Sequence, residues 1–77
     1  MNALVAIGNT PLVRLEKVVP KGSAEVWLKL EGGNPTGSYK DRMALSVLSR
    51  AIERGDVAPG DTVIEYTGGS TGTALAF

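Results

Sequence analysis

A lysine near the middle of the chain has a position suited to covalent chemistry. Lys40 follows a turn-rich loop, Glu31 to Gly37, and lies at the start of a segment with helical periodicity. The positive end of the helix dipole disfavours an ammonium group there, and a neutral lysine amine is the form that condenses with a carbonyl to a Schiff base. Arg42 also departs from the preference of helix starts for acidic residues. We therefore interpret Lys40 as a candidate catalytic residue; the alternative is a solvated surface lysine.

A second candidate site is the glycine- and hydroxyl-rich loop from Thr67 to Thr73. Glycines let a ligand approach the backbone closely, and the N–H groups at a helix start bind anions. The loop lacks the Lys-Ser/Thr pair of nucleotide phosphate loops and the G-x-G-x-x-G spacing of dinucleotide sites. The pattern therefore predicts an anion site for a phosphate or a carboxylate; the alternative is a tight strand-to-helix turn with ordinary caps.

The elements that must position these residues lie between clusters of glycine and proline. Pro11 to Leu15 and Glu25 to Leu30 are predicted strands, the second because its apolar residues alternate. Thr62 to Tyr66 is β-branched and apolar enough for a buried strand, and Gly72 to Phe77 is typical of the first turns of a helix. With a helix between the second and third strands, this order indicates an α/β fold with a parallel sheet.

That intervening helix is the clearest element and is predicted over Ser38 to Arg54. Its apolar side chains recur at the i, i+3, i+4 spacing of an amphipathic helix, at Met43, Ala44, Val47, Leu48, Ala51 and Ile52. Ser38 and Asp41 have the spacing of a capping box, with Asp in place of the usual Glu. Gly55 provides a C-terminal stop. Lys40 is therefore expected in the first turn of this helix.

The composition excludes several classes of protein. The 77 residues include no cysteine and no histidine, which excludes a disulfide framework, a Cys/His zinc site, a cysteine nucleophile and a histidine base. We therefore predict no metal site. Eight basic residues balance eight acidic ones, so the chain has no electrostatic footprint for nucleic acid. The apolar runs are far shorter than a bilayer span, and the N-terminus lacks a signal-peptide pattern. We expect a cytoplasmic protein that binds neither nucleic acid nor membrane.

The predicted helices do not suffice to cover the predicted sheet. A parallel sheet is covered by helices on both faces, which gives three α/β/α layers. One whole helix and the start of another cannot provide both outer layers. We therefore expect residues 1–77 to be a truncated part of a three-layer α/β/α sheet, with no complete domain boundary within the chain.

Several segments, in order along the chain, resemble one enzyme family. Ile7 to Leu15 resembles the N-terminal signature of cysteine synthases and cystathionine β-synthases. Lys29 to Glu31, followed by Asn34 to Arg42, resembles the pyridoxal-phosphate lysine segment of fold-type II enzymes. Pro59 to Glu65 resembles the strand entry that follows, and Thr67 to Gly72 resembles the loop that holds the substrate carboxylate. The resemblance covers nearly the whole chain. It implies that residues 1–77 are the N-terminal fragment of the catalytic unit of a fold-type II enzyme, with pyridoxal 5'-phosphate as its cofactor.

The resemblance also implies roles for individual residues. Lys40 would bind the cofactor as a Schiff base and later move the substrate's Cα proton. Thr67, Gly68, Ser70 and Thr71 would bind the carboxylate of a small amino-acid substrate through hydroxyl and backbone N–H groups. The family usually has asparagine at the position of Ser70, where it bonds the cofactor's phenolic oxygen, and often serine at the position of Gly68. We therefore expect Ser70 to contact both cofactor and substrate.

The implied reaction is a β-replacement that converts O-acetylserine and sulfide to cysteine and acetate, in a parent enzyme that is commonly a homodimer. Pro35 to Arg42 is also similar to the lysine motif of threonine synthases and of threonine or serine dehydratases, although the Ile7 to Leu15 signature weighs against these. A further alternative is a non-catalytic truncated product. The family's phosphate-binding glycine loop lies beyond residue 77, so we expect the 77-residue chain alone to be inactive.

Overall fold

A computed structural model describes residues 2–77 of the chain. Strands and α-helices alternate with loops and two short 3-10 turns, Ala3–Ala6 and Glu31–Gly33. The regular elements are strand β1 (Leu12–Leu15), strand β2 (Val26–Lys29), helix α1 (Lys40–Glu53) and helix α2 (Ser70–Ala76). This combination of helices with a small sheet confirms the α/β class predicted from the sequence.

The sheet within residues 2–77 consists of β1 and β2, which pair antiparallel with Leu12 opposite Lys29 and Leu15 opposite Val26. The parallel arrangement is predicted from the strand–helix–strand order that begins at β2, so the pairing of β1 with β2 lies outside that prediction. Parallel neighbours need a crossover connection, usually a helix, whereas β1 and β2 are joined by a loop that turns at Pro20 to Ser23. The chain consequently returns directly alongside β1 as a hairpin.

The predicted strand Thr62 to Tyr66 is not a strand in the structure. A strand is defined by hydrogen bonds to a neighbouring strand, and none of the described residues pairs with this segment. Its apolar side chains lie open, with Ile64 89 % exposed and Tyr66 98 % exposed. The apolar, β-branched composition that predicted a strand is present, but the pairing partner is not among residues 2–77.

Helix α1 begins two residues later than predicted, and the predicted capping box does not form. The N-cap is Tyr39, which makes no side-chain cap hydrogen bond. Asp41 bonds instead to Thr36, because the loop before the helix folds back over its first turn. The C-terminal stop is confirmed: Gly55 has φ +78°, and its N–H donates to the carbonyl of Ile52 at 3.0 Å.

Helix α2 begins at Ser70, two residues earlier than predicted, and packs against α1. The buried apolar residues are Ala44 of α1, 3 % exposed, and Ala74 of α2, 6 % exposed. The buried apolar side chains of the described residues therefore come from the two helices, which pack against each other. No helix in residues 2–77 is both long and apolar enough to cross a membrane.

Candidate functional site

Lys40 is the first residue of α1, and its side chain is half-buried. Its backbone N–H donates to Ser38 Oγ at 3.2 Å, and its Nζ lies 4.8 Å from the centroid of the Tyr39 ring. The ion pairs within residues 2–77 all use arginine, so no carboxylate there is paired with the Lys40 amine. The Lys40 amine is therefore not held in an ion pair within residues 2–77, and a primary amine is the group that condenses with a carbonyl to a Schiff base.

The loop before Lys40 is fixed to the helix by the residue after it. Asp41 is 1 % exposed. Its Oδ2 accepts from the backbone N–H of Thr36 at 2.8 Å, and its Oδ1 accepts from the Thr36 hydroxyl. Between them the chain turns at Gly37, which has φ +92° and whose N–H donates to the Asn34 carbonyl at 2.9 Å. The backbone on both sides of Lys40 is thereby held in place.

A second set of contacts ties this region to the N-terminal segment. The Arg42 guanidinium donates through Nε to Glu31 Oε1 and through Nη2 to Glu31 Oε2 at 3.2 Å. The same Nη2 donates to the hydroxyl of Thr10 at 3.0 Å, and that hydroxyl donates to Glu31 Oε2. Such forked arginine–carboxylate pairs fix geometry as well as charge. We call Thr10, Glu31 and Arg42 the arginine cluster.

Asn34 completes the connection. Its Nδ2 donates to the Glu31 carbonyl at 2.8 Å, and its Oδ1 accepts from the backbone N–H of Gly8 at 2.8 Å. Gly8 has φ +89°, and a Cβ there would lie 3.1 Å from Arg42 Nη1. The Gly8 to Leu12 segment, which by itself indicates only a turn before a strand, therefore packs against the lysine loop. In the sequence, the sign of this cluster is Arg42. A basic residue is disfavoured at the start of a helix unless it forms an ion pair with a carboxylate.

The arginine cluster makes a prediction about acid stability. The hydrogen bond from Arg42, and to a smaller extent the one from Thr10, lowers the pKa of Glu31 from 4.5 to about 2. A carboxyl whose pKa is lower in the folded state stabilises the fold above its unfolded pKa, and that contribution is lost as the pH falls from about 4.5 to about 2. Between these two pH values, we therefore expect the free energy of unfolding of Glu31→Gln to fall less steeply than that of the wild-type protein. Urea unfolding over a pH series would measure it.

The matched control is Glu16→Gln, because Glu16 lies exposed after β1 and outside the cluster. This control should leave the acid dependence due to Glu31 in place. If wild type and Glu31→Gln lose stability in parallel over the same pH window, the ionic role assigned to Glu31 is wrong.

The glycine-rich loop folds around the hydroxyl of Thr67. Thr67 Oγ1 accepts from the backbone N–H of Gly69 at 3.1 Å and from that of Gly72 at 3.0 Å. Two N–H groups of the predicted anion site are thus already bonded to the protein. Within residues 2–77, the N–H groups of Gly68, Ser70 and Thr71 have no protein acceptor. The Thr67 hydroxyl also keeps its own proton to donate.

The structure brings the two candidate segments onto neighbouring helices without joining them. A cavity of about 300 Å³ lies where α1 meets the Thr67 loop and is lined by Leu48, Thr67, Gly72 and Leu75, among others. No hydrogen bond within the described residues connects Lys40 or its loop to Thr67, Ser70 or Thr71. Each segment is therefore locally ordered, and each lies at the N-terminal end of its helix.

The chain is similar to known proteins over nearly its whole length. The family model for "Pyridoxal-phosphate dependent enzyme" matches residues 3–77. Cysteine synthase B of Escherichia coli is 60% identical over 70 residues, which are 91% of this chain and 23% of that protein. The crystal structure of O-ureido-L-serine synthase is 49% identical, with a TM-score of 0.83 over 96% of this chain and 23% of that one.

The cysteine synthase of Entamoeba histolytica has the same TM-score of 0.83, at 43% identity, and matches 96% of this chain and 23% of its own. The chain thus spans about a quarter of the length of the relatives it matches. The similarity to cysteine synthases extends over nearly all of the chain, including the lysine segment and the glycine-rich loop. The chain belongs to the family of pyridoxal-phosphate dependent enzymes.

Proposed function

We propose that residues 1–77 are the N-terminal part of a larger catalytic unit that performs β-replacement on a small amino acid, forming cysteine and acetate from O-acetylserine and sulfide. The observation that carries this proposal is Lys40, whose amine has no carboxylate partner among the described residues while its loop is held by buried hydrogen bonds. The similarity to cysteine synthases over 91% of the chain supports the choice of reaction.

The residues of the lysine loop fit the family's cofactor. Pyridoxal phosphate, when bound, supplies an electron sink for negative charge that develops at the substrate's Cα. Lys40 would hold the cofactor through its amine, and the same amine, once released by the incoming substrate, would take and return the Cα proton. A fixed backbone with a mobile four-carbon side chain suits both tasks, because the amine must reach two positions from one anchor.

The Thr67 loop would bind the substrate's carboxylate. Its available donors are the Thr67 hydroxyl and the N–H groups of Gly68, Ser70 and Thr71. Hydrogen bonds to a charged acceptor are the stronger kind, and a helix start favours negative charge. The Ser70 hydroxyl would in addition reach the phenolic oxygen of the cofactor. We also propose that the whole enzyme is a cytoplasmic homodimer, by similarity to cysteine synthases.

The test uses the longer protein that contains this chain. With O-acetylserine and sulfide we expect cysteine, and with threonine alone we expect no 2-oxobutyrate. Borohydride reduction with the cofactor bound should leave a pyridoxyl group on the peptide that contains Lys40. Formation of 2-oxobutyrate without cysteine would favour a dehydratase instead. Absence of both products and of the label would favour a non-catalytic chain.

A further inference from the structure

We propose that Asp41 is a positioning residue for Lys40: its buried carboxylate, bonded to both the N–H and the hydroxyl of Thr36, fixes the anchor from which the Lys40 amine reaches the cofactor. This inference rests on the proposed role of Lys40. It assigns a function to a carboxylate whose side-chain hydrogen bonds within residues 2–77 go to Thr36, and not to the Thr67 loop or to the side chains of the arginine cluster.

Asp41 is buried without a cationic partner among the described residues. It is 1 % exposed, and the ion pairs within residues 2–77 use other carboxylates. Burying a carboxylate is unfavourable unless its oxygens are hydrogen-bonded. Both oxygens bond to one residue, Thr36, so this charge serves a local backbone geometry and not an ion pair.

The N-cap residue of α1 makes no side-chain cap hydrogen bond. The N-cap residue Tyr39 is in the right-handed helical region, with φ −67° and ψ −11°, and its side chain accepts no cap bond. Ser38 Oγ accepts from the Lys40 N–H at 3.2 Å. The side-chain connection from the preceding loop that spans Lys40 is the one between Thr36 and Asp41.

The hydrogen bonds between Thr36 and Asp41 constrain the backbone at Lys40. The chain from Thr36 to Asp41 turns at Gly37, which has φ +92°, and the two bonds between Thr36 and Asp41 close this turn and restrict the backbone of Lys40 within it. Misplacing a reacting group by about 1 Å can lower a rate on the order of 100-fold. Loss of the Asp41 contacts should therefore slow the reaction of Lys40 with the cofactor more than a loss of stability alone would.

The experiment compares Asp41→Ala, Asp41→Asn and wild type in the longer protein. The cofactor is removed and added back, and the rate constant for its attachment to Lys40 is followed by visible absorbance, with borohydride labelling to identify the lysine. We expect Asp41→Ala to load at least about tenfold more slowly. Asp41→Asn should recover to within about threefold, because its amide oxygen can accept from the Thr36 N–H and its NH2 can donate to the hydroxyl.

Two further variants separate positioning from stability. Ala44→Gly weakens the same helix at a buried position, 3 % exposed, but leaves the Thr36 contacts in place; it should load at nearly the wild-type rate. Thr36→Val removes only the hydroxyl and keeps the backbone bond, and it should slow loading about threefold even if Asp41→Ala fails to fold.

If Asp41→Ala loads as fast as wild type, or if Ala44→Gly with an equal drop in thermal midpoint slows loading as much, Asp41 is only structural and the inference is overturned. A wild-type protein that carries the pyridoxyl label elsewhere than on Lys40 would overturn the proposed function first, which is a different result from a normal label with insensitive Asp41 variants.

Discussion

Lys40→Ala in the longer protein should abolish the visible absorbance of the lysine-bound cofactor and lower turnover by about 1,000-fold or more. The amine has two proposed tasks, and alanine can perform neither: it cannot form a Schiff base, and it cannot move the Cα proton. Proton transfer by a positioned group alone contributes about 100- to 10,000-fold. Absorbance spectra and steady-state rates with O-acetylserine and sulfide would measure both effects.

The control variants distinguish the amine from its charge and from lysine in general. Lys21→Ala changes an exposed lysine in the loop between β1 and β2 and should keep spectrum and turnover. Lys40→Arg keeps a positive charge but stays protonated, so it should be as inactive as alanine. A small primary amine added to Lys40→Ala should restore part of the rate. A lysine-type spectrum that persists in Lys40→Ala would show that another residue holds the cofactor.

The sequence predicted the elements that have a simple period. Helix α1 is recognisable because its apolar residues repeat at i, i+3, i+4, and the structure confirms it over Lys40–Glu53. The alternation in β2 likewise predicted a strand, confirmed over Val26–Lys29. The antiparallel pairing of β1 with β2 could not be predicted in this way, because alternation fixes which side chains share a face but not which neighbour the strand meets.

The support around Lys40 has no such period. Thr10 and Glu31 are 21 residues apart in the chain, and Thr10 and Arg42 are 32 apart. Polar contacts over such separations depend on how the loops fold together, which a pattern of neighbouring residues does not contain. The capping-box prediction failed for a related reason: the spacing from Ser38 to Asp41 fits a capping box, but Asp41 bonds to Thr36. Lys40 itself could be singled out, whereas its supporting contacts could not.

The second large effect is expected at Gly72, where the backbone of α2 approaches Thr67. A Cβ at Gly72 would lie 2.5 Å from Thr67 Cγ2, far inside van der Waals contact. Thr67 can relieve the clash by rotating, but its Oγ1 then loses the hydrogen bonds from Gly69 and Gly72. Two such bonds contribute about 2 kcal/mol together. Alanine's better helix propensity returns only about 1 kcal/mol, so Gly72→Ala should be destabilising overall.

The same rotation displaces the hydroxyl proposed to bind the substrate's carboxylate. We therefore expect Gly72→Ala in the longer protein to raise KM for O-acetylserine about tenfold or more, with a smaller change in the rate of cofactor loading at Lys40. A loss of about 1.4 kcal/mol in binding corresponds to that factor. Initial rates over a range of O-acetylserine concentrations, together with loading rates, would separate the two effects.

A second substitution, at Thr67, should relieve the clash with the new Cβ at position 72. Thr67→Ser removes the methyl group that meets the new Cβ but keeps the hydroxyl, so Thr67→Ser combined with Gly72→Ala should return KM to within about threefold of wild type. Gly32→Ala is the matched glycine control, because among the described residues no atom beyond the two chain neighbours lies within 4 Å of a Cβ built there. If Gly72→Ala binds substrate normally, or if the serine variant fails to rescue it, the hydroxyl of Thr67 does not hold the substrate. The carboxylate would then depend on the N–H groups of Gly68, Ser70 and Thr71 alone.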